Sequence, residues 1–288
     1  MKSTVMLVLA CFLSFSFGGA LLQGEENLLP QVETVLPEVS ETPNQGESTL
    51  PEEPETPNQE ETVLPEEPQV PDTSETEAKA LVVIDAGHQL NGNSDKEPNG
   101  PGSSITKAKV SSGTTGAYTG IPEYVLTLAV ALMLEEILVD WGYEVVQIRS
   151  THEVDISNAE RAIIANELNA DAFIRLHGNG FSDSSVNGAL TMCMTSKNPY
   201  CSYLYENSRL LSELVLDGII AETGANRRTI LESDSMTGLN WCEVPVTIVE
   251  MGFMSNKKED ELLATEEYRY SVALGIALGI ENYIQAIS

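Results

Sequence analysis

The string LVVIDAGH at residues 81–88 decides how this chain folds. Its first four residues are apolar and three of them are β-branched, which suits a strand buried on both faces rather than one with a wet side. The run then breaks at Asp85, Gly87 and His88, so a strand ends where a glycine and a titratable ring begin. Working outward, strand and helix patterns alternate. Pro122 opens a helix that carries apolar residues to Trp141 and stops at Gly142, with proline and glycine at their favoured ends. Residues 144–149 predict the next strand, Ser157 with Glu160 a capping box for a helix to about Ala170, and residues 172–176 a third strand. Residues 188–194 read as a fourth strand, 203–222 as a helix ended by Gly224, and 245–249 as another buried strand. Asn256 and Thr265 then cap two further helices. The order predicts a three-layer α/β domain at residues 80–288, a mostly parallel sheet of about six strands flanked by helices, with right-handed crossovers.

Upstream the composition changes. Lys2, the apolar run 5–17 and the small residues Gly18, Gly19 and Ala20 read as a secretory leader covering residues 1–23. An uncleaved membrane anchor is the alternative, because residues 4–22 are uncharged and nearly long enough to span a bilayer. Residues 24–79 hold a degenerate repeat, with ETPNQ at Glu41 and again at Glu55 and TVLPE at Thr34 and Thr62. Nine of the 14 prolines fall between Pro30 and Pro71, and that stretch has no aromatic residue to build a core. It reads as a disordered, self-repelling acidic linker.

That linker supplies about half of the net charge of −29. Nucleic acid is not expected as a partner, because phosphate binding needs a basic patch. Cys193, Cys201 and Cys242 form no C-x-x-C pair, so a structural zinc knuckle is not expected. Buried thiols are the plain reading; a Cys193–Cys201 bridge stays open.

The chain has three histidines, and two end apolar runs: His88 ends VVIDAGH and His177 ends FIRLH. A third run, VTIVE, ends the same way at Glu250. In open α/β sheets, groups just past the carboxyl ends of strands face the ligand crevice. A carboxylate ending so apolar a run is costly to desolvate without a counter-charge, which a metal cation would supply. A catalytic zinc commonly takes two histidines and a carboxylate and leaves one position open. Glu123, in the first turn of the Pro122 helix, is the best third ligand, although an acid there also suits the helix dipole with no other role. Asp85 either orients a ligand imidazole or merely forms a turn. His152 reads as a solvated loop residue, Arg161 as structural, and Met251, Phe253 and Met254 as core or groove lining. Asn179 and Asn256 either donate to substrate or cap local turns.

DAGH at Asp85, Glu123 opening a helix, RLHGN at Arg175 and VEMGFMSN at Val249 stand in the order and approximate spacing of a known family. Over about residues 81–285 the chain resembles the zinc-dependent N-acetylmuramoyl-L-alanine amidases of sporulation, autolysis and cell division. The resemblance implies one Zn2+ per chain held by His88, Glu123 and His177, with Glu250 as catalytic acid/base. It also implies peptidoglycan as partner, cut between the lactyl group of N-acetylmuramic acid and L-alanine. The chain departs from the family pattern at Gln89 and Leu90, where glycines are usual, and in the longer loop 91–118. A zinc carboxypeptidase acting on stem peptides and a non-catalytic wall-binding module are the competing readings. The expected setting is secreted and wall-associated, as a monomer, touching membrane only through an uncleaved leader.

Overall fold

Alternation along the strands sorts the side chains onto two faces, and both faces are covered. The computed structural model describes residues 79–288, so the leader and nearly all of the acidic repeat lie outside the described residues. In chain order the elements are β1 (Leu81–Ala86), β2 (Asn93–Pro98), β3 (Thr106–Val110), α1 (Glu123–Asp140), β4 (Glu144–Gln147), α2 (Asn158–Glu167), β5 (Ala172–Asn179) and β6 (Leu190–Cys193). A short 3-10 turn then runs into α3 (Tyr205–Thr223), followed by β7 (Leu231–Glu232), α4 (Thr237–Asn240), β8 (Val246–Phe253), α5 (Lys257–Leu263) and α6 (Glu266–Ile287).

Six strands form the main sheet in the order β4-β1-β5-β8-β6-β7. The first four are mutually parallel; β6 runs antiparallel to β8. Val82, Ile84, Ile174, Leu176 and Val249 point to one side and pack beneath α1, α3 and α6. Val83, Phe173, Val246 and Ile248 point to the other and meet apolar residues of α2 and α4. The mostly parallel sheet of six strands between helices agrees with the architecture read from the sequence.

The helix ends follow their predicted chemistry. Ser157 Oγ accepts from the Glu160 amide at 3.2 Å while the Ser157 amide donates to Glu160 Oε2 at 2.7 Å, which completes the capping box. Asn256 and Thr265 cap α5 and α6, and Gly224 ends α3 with a left-handed φ of 65°. Cys193, Cys201 and Cys242 are all free and buried, so Cys193 and Cys201 are not bridged. Among the described residues no helix is long and apolar enough to cross a membrane.

Three features depart from the expectation. The loop after His88 contains an antiparallel hairpin, β2–β3, with a bulge between Asn93 and Lys96. Its sequence, NSDKEP paired with TKAKV, has almost no apolar alternation, because the hairpin is held by polar docking rather than by a buried face. The two-residue β7 and the single-turn α4 were also not anticipated, being too short to carry a period. Finally, β5 and β8 continue past the apolar runs, to Asn179 and Phe253, so His177 and Glu250 lie within strands rather than beyond their ends.

Candidate metal centre

β1 and β5 are parallel neighbours, as are β5 and β8, so the carboxyl-terminal ends of all three converge at one edge of the sheet. His177 stands directly opposite Glu250 in register. His88 follows β1 in a turn with φ 63°, a left-handed conformation unusual for a residue with a Cβ and the kind of strain that concentrates at functional sites. Gly87 lets the turn pass under His177: a Cβ there would lie 2.5 Å from His177 Cε1 and 2.4 Å from the Leu176 carbonyl oxygen.

The first acid of α1 closes the group. Glu123 Oε1 lies 3.0 Å from His88 Nε2 and 3.1 Å from His177 Nδ1, and the two imidazole nitrogens are 3.1 Å apart. His88 Nδ1 meets the Ser111 carbonyl at 2.9 Å. A carbonyl can only accept, so Nδ1 carries the proton and Nε2 presents a lone pair to the centre. Glu123 is oriented by two amides, Gly178 N to Oε1 at 3.0 Å and Thr114 N to Oε2 at 2.7 Å. Ligand bonds of about 2.0–2.1 Å would put the donor atoms of a tetrahedral zinc site about 3.3 Å apart, so the observed separations suit a small cation. These three residues could together hold a metal ion.

Burial and neighbouring charge shape the acids in opposite ways. Burial alone would raise Glu123, but the His177 and His88 rings beside it outweigh that and hold the carboxyl well below its usual range. Burial lowers His177, which favours the neutral, ligating imidazole. Glu250 has no such partners. Its Oε2 is sealed from solvent with no hydrogen bond, and burial, reinforced by the charge on Glu123, pushes the carboxyl up to about 8.

A family model described as N-acetylmuramoyl-L-alanine amidase matches residues 82–282. The chain belongs to this amidase family. The amidase AmiA of Salmonella typhimurium is 24% identical over 244 residues, 72% of this chain and 77% of that protein. The amidase Rv3717 of Mycobacterium tuberculosis is 26% identical over 220 residues, 72% of this chain and 87% of that protein. Among solved structures, Ami1 from Mycobacterium smegmatis superposes with a TM-score of 0.65 at 24% identity, covering 73% of this chain and 98% of that one, a likeness of fold. The catalytic domain of CwlV, an amidase from Bacillus (Paenibacillus) polymyxa, gives 0.58 at 28% identity over 72% of this chain and 98% of that one.

In this amidase the remaining polar residues fall into place around the trio. Asp85 hydrogen-bonds to neither imidazole of the trio. Fully buried, it pairs with Arg161 Nη1 at 2.5 Å and Arg175 Nε at 2.9 Å; burial pushes its carboxyl up, and the two guanidinium groups outweigh that and hold it very low. Arg161 also donates to the His88 carbonyl at 3.2 Å and to Gln89 Oε1 at 2.9 Å, so the structural role expected of it includes holding the His88 turn. Asn256 is a cap, and its amide reaches the Ser184 carbonyl at 2.8 Å; Met251, Phe253 and Met254 are buried. His152 is half-buried, with its ring edge-on to Tyr124 at 5.1 Å, rather than freely solvated.

Sequence reasoning missed Arg149, which grips the same turn by donating to the Ala86 carbonyl at 2.7 Å and the Tyr124 carbonyl at 2.8 Å. One signal was available: Arg149 ends an apolar run, as His88 and His177 do. The main-chain partners at Ser111 and Thr114 left no signal, since a carbonyl or amide is present at every residue.

Proposed function

We propose that His88, Glu123 and His177 hold one zinc ion and that Glu250 is the acid/base of an amidase that hydrolyses the bond between the lactyl group of N-acetylmuramic acid and L-alanine in peptidoglycan. The observation that carries this reading is the convergence of three donor atoms 3.0–3.1 Å apart, beside a half-buried acid with a sealed, unpartnered oxygen. Two imidazoles and one carboxylate leave a bound zinc with net positive charge, able to lower the pKa of water and polarise a carbonyl.

The chain's own groups then have distinct tasks. Ser111 and the amides of Thr114 and Gly178 fix the ligands, so little reorganisation accompanies turnover. The Glu250 carboxylate, which no donor of the chain occupies at Oε2, would accept a proton from the attacking water and return it to the departing alanine nitrogen. A cation held by the trio would favour the ionised carboxylate, the form that accepts the first proton. The leader-like stretch and the acidic repeat support an exported, wall-associated protein, and we read it as a monomer.

Digestion of purified peptidoglycan with and without a chelator, followed by mass analysis, tests the assignment. Metal-dependent release of intact stem peptides with a free L-alanine amine is expected. Release of single terminal residues instead would make the protein a carboxypeptidase, and binding without products a wall-binding module.

A further inference from the structure

The β2–β3 hairpin looks like surface decoration in sequence, yet its descending end is in contact with two of the three residues assigned to the metal. From Val110 the chain runs straight into Ser111, whose carbonyl accepts a hydrogen bond from His88 Nδ1. Two residues later, Gly113 adopts φ 83° and comes so close that a Cβ would stand 2.7 Å from Glu123 Oε2 and 2.9 Å from the His88 ring. Thr114 follows, its amide donating to Glu123 Oε2 at 2.7 Å while its carbonyl accepts from the Glu123 amide at 2.9 Å. Three residues within 111–114, namely Ser111, Gly113 and Thr114, therefore lie against His88 or Glu123, mostly through the main chain.

The other end of the hairpin is docked by side chains from α4 and its flanks. Trp241 Nε1 donates to the Pro98 carbonyl at 2.9 Å, Asn240 Nδ2 to the Asn99 carbonyl at 2.8 Å and Thr237 Oγ1 to Asn99 Oδ1 at 3.2 Å. Lys107 Nζ reaches the Ser235 carbonyl, and the Tyr200 ring packs against Gly100 so tightly that no Cβ would fit. Along the stem, Asn158 Nδ2 donates to the Lys109 carbonyl at 2.8 Å and Asn93 Nδ2 to Asp155 Oδ1 at 3.0 Å. The hairpin has scarcely any apolar face to hold it, so these polar contacts with α4 and the α2 end carry its placement.

We propose that the β2–β3 hairpin is a positioning element for the metal centre: its docking on Asn240 and Trp241 fixes residues 111–114, which hold His88 and Glu123 in ligating orientation. The inference rests on the metal reading above. It makes Asn240 and Trp241 positioning residues that act through the hairpin rather than on substrate. Outer partners of metal ligands commonly govern affinity by about 10- to 100-fold, and here that control is exercised from α4.

The test measures zinc affinity by chelator competition, and the visible absorption of the cobalt(II)-loaded full chain, alongside the melting temperature. Gly113→Ala should weaken zinc binding by about 10- to 100-fold, because the new methyl group pushes on both ligands. Asn240→Ala and Trp241→Phe, which leave residues 111–114 untouched, should each weaken it by about tenfold or somewhat less and shift the cobalt spectrum. Tyr143→Phe is the control: it removes a hydrogen bond to Glu281 away from the hairpin and should lower the melting temperature without changing affinity. The proposal is overturned if the hairpin variants bind zinc as the parent does, or if all four variants lose affinity in step with melting temperature. A parent chain that binds no divalent metal is a different failure, one that removes the metal reading itself.

Discussion

Two successive rungs on one face of the sheet handle buried charge in opposite ways. In the inner rung Asp85 stands beside Arg175 in register, and Arg161 reaches in from α2, so the carboxylate is closed by two guanidinium groups of the chain itself. In the outer rung, two residues further along β5, His177 faces Glu250, and Glu123 and His88 join them. There, among the described residues, no lysine or arginine bonds to any of the four side chains. The inner carboxylate has its counter-charges supplied by the chain, whereas the outer rung gathers two acids and two imidazoles with no lysine or arginine of the described residues bonded to them. Such an arrangement is costly by itself and would be stabilised by a cation at the proposed site. The inner rung gives the turn at His88 its rigidity, and the outer rung keeps its unsatisfied groups for chemistry.

The largest effect expected from this contrast is on turnover. Glu250→Gln keeps the shape of the outer rung and removes the group that accepts the proton. Turnover on peptidoglycan should fall by about 10²- to 10⁴-fold while zinc content and wall binding stay near those of the parent. A variant that keeps near-parental turnover would return Glu250 to the status of a buried structural acid.

Next comes the inner rung. Asp85→Asn leaves two buried guanidinium groups without their anion, and breaking such a group from one side typically costs about 3–5 kcal/mol. Denaturant unfolding should show that loss in the presence and absence of zinc alike, because the inner rung does not depend on the ion. If the loss disappears on adding zinc, the two rungs are not independent and the contrast drawn above fails.

How much of this was legible in the sequence follows from the reach of each interaction. The strands carrying His88, His177 and Glu250 were readable because burial on both faces demands long apolar runs, and the interruption of such a run is conspicuous. The caps at Ser157, Asn256 and Thr265 were readable because capping is local chemistry within three residues. The pairing of Asp85 with Arg161 and Arg175 was not, since it joins residues 76 and 90 positions apart and nothing near Asp85 specifies the partner. For the same reason the hairpin stayed hidden: polar strands leave no period, and its docking contacts on Asn240 and Trp241 lie more than 130 residues away.

The smallest predicted effect is the pH dependence of the metal-free protein, and its sign separates the two rungs. Burial raises the Glu250 carboxyl from 4.5 to about 8, so the folded state binds this proton more tightly than the unfolded state does. The stabilising contribution is therefore complete below pH 4.5 and is lost as pH rises through about 8. Asp85 acts in the opposite sense, since its carboxyl is held low and its contribution is lost only in acid. Glu250→Gln removes the first dependence and leaves the second, so near pH 8 the metal-free variant should be more stable than the metal-free parent by roughly 2–4 kcal/mol. The advantage should vanish near pH 4 and shrink when zinc is added, because a nearby cation favours the ionised carboxylate. Taking the difference between variant and parent cancels the contribution of Asp85, whose shift Glu250 does not enter. Equal stability of the two metal-free proteins across this range would mean that the outer rung already satisfies Glu250 without an ion.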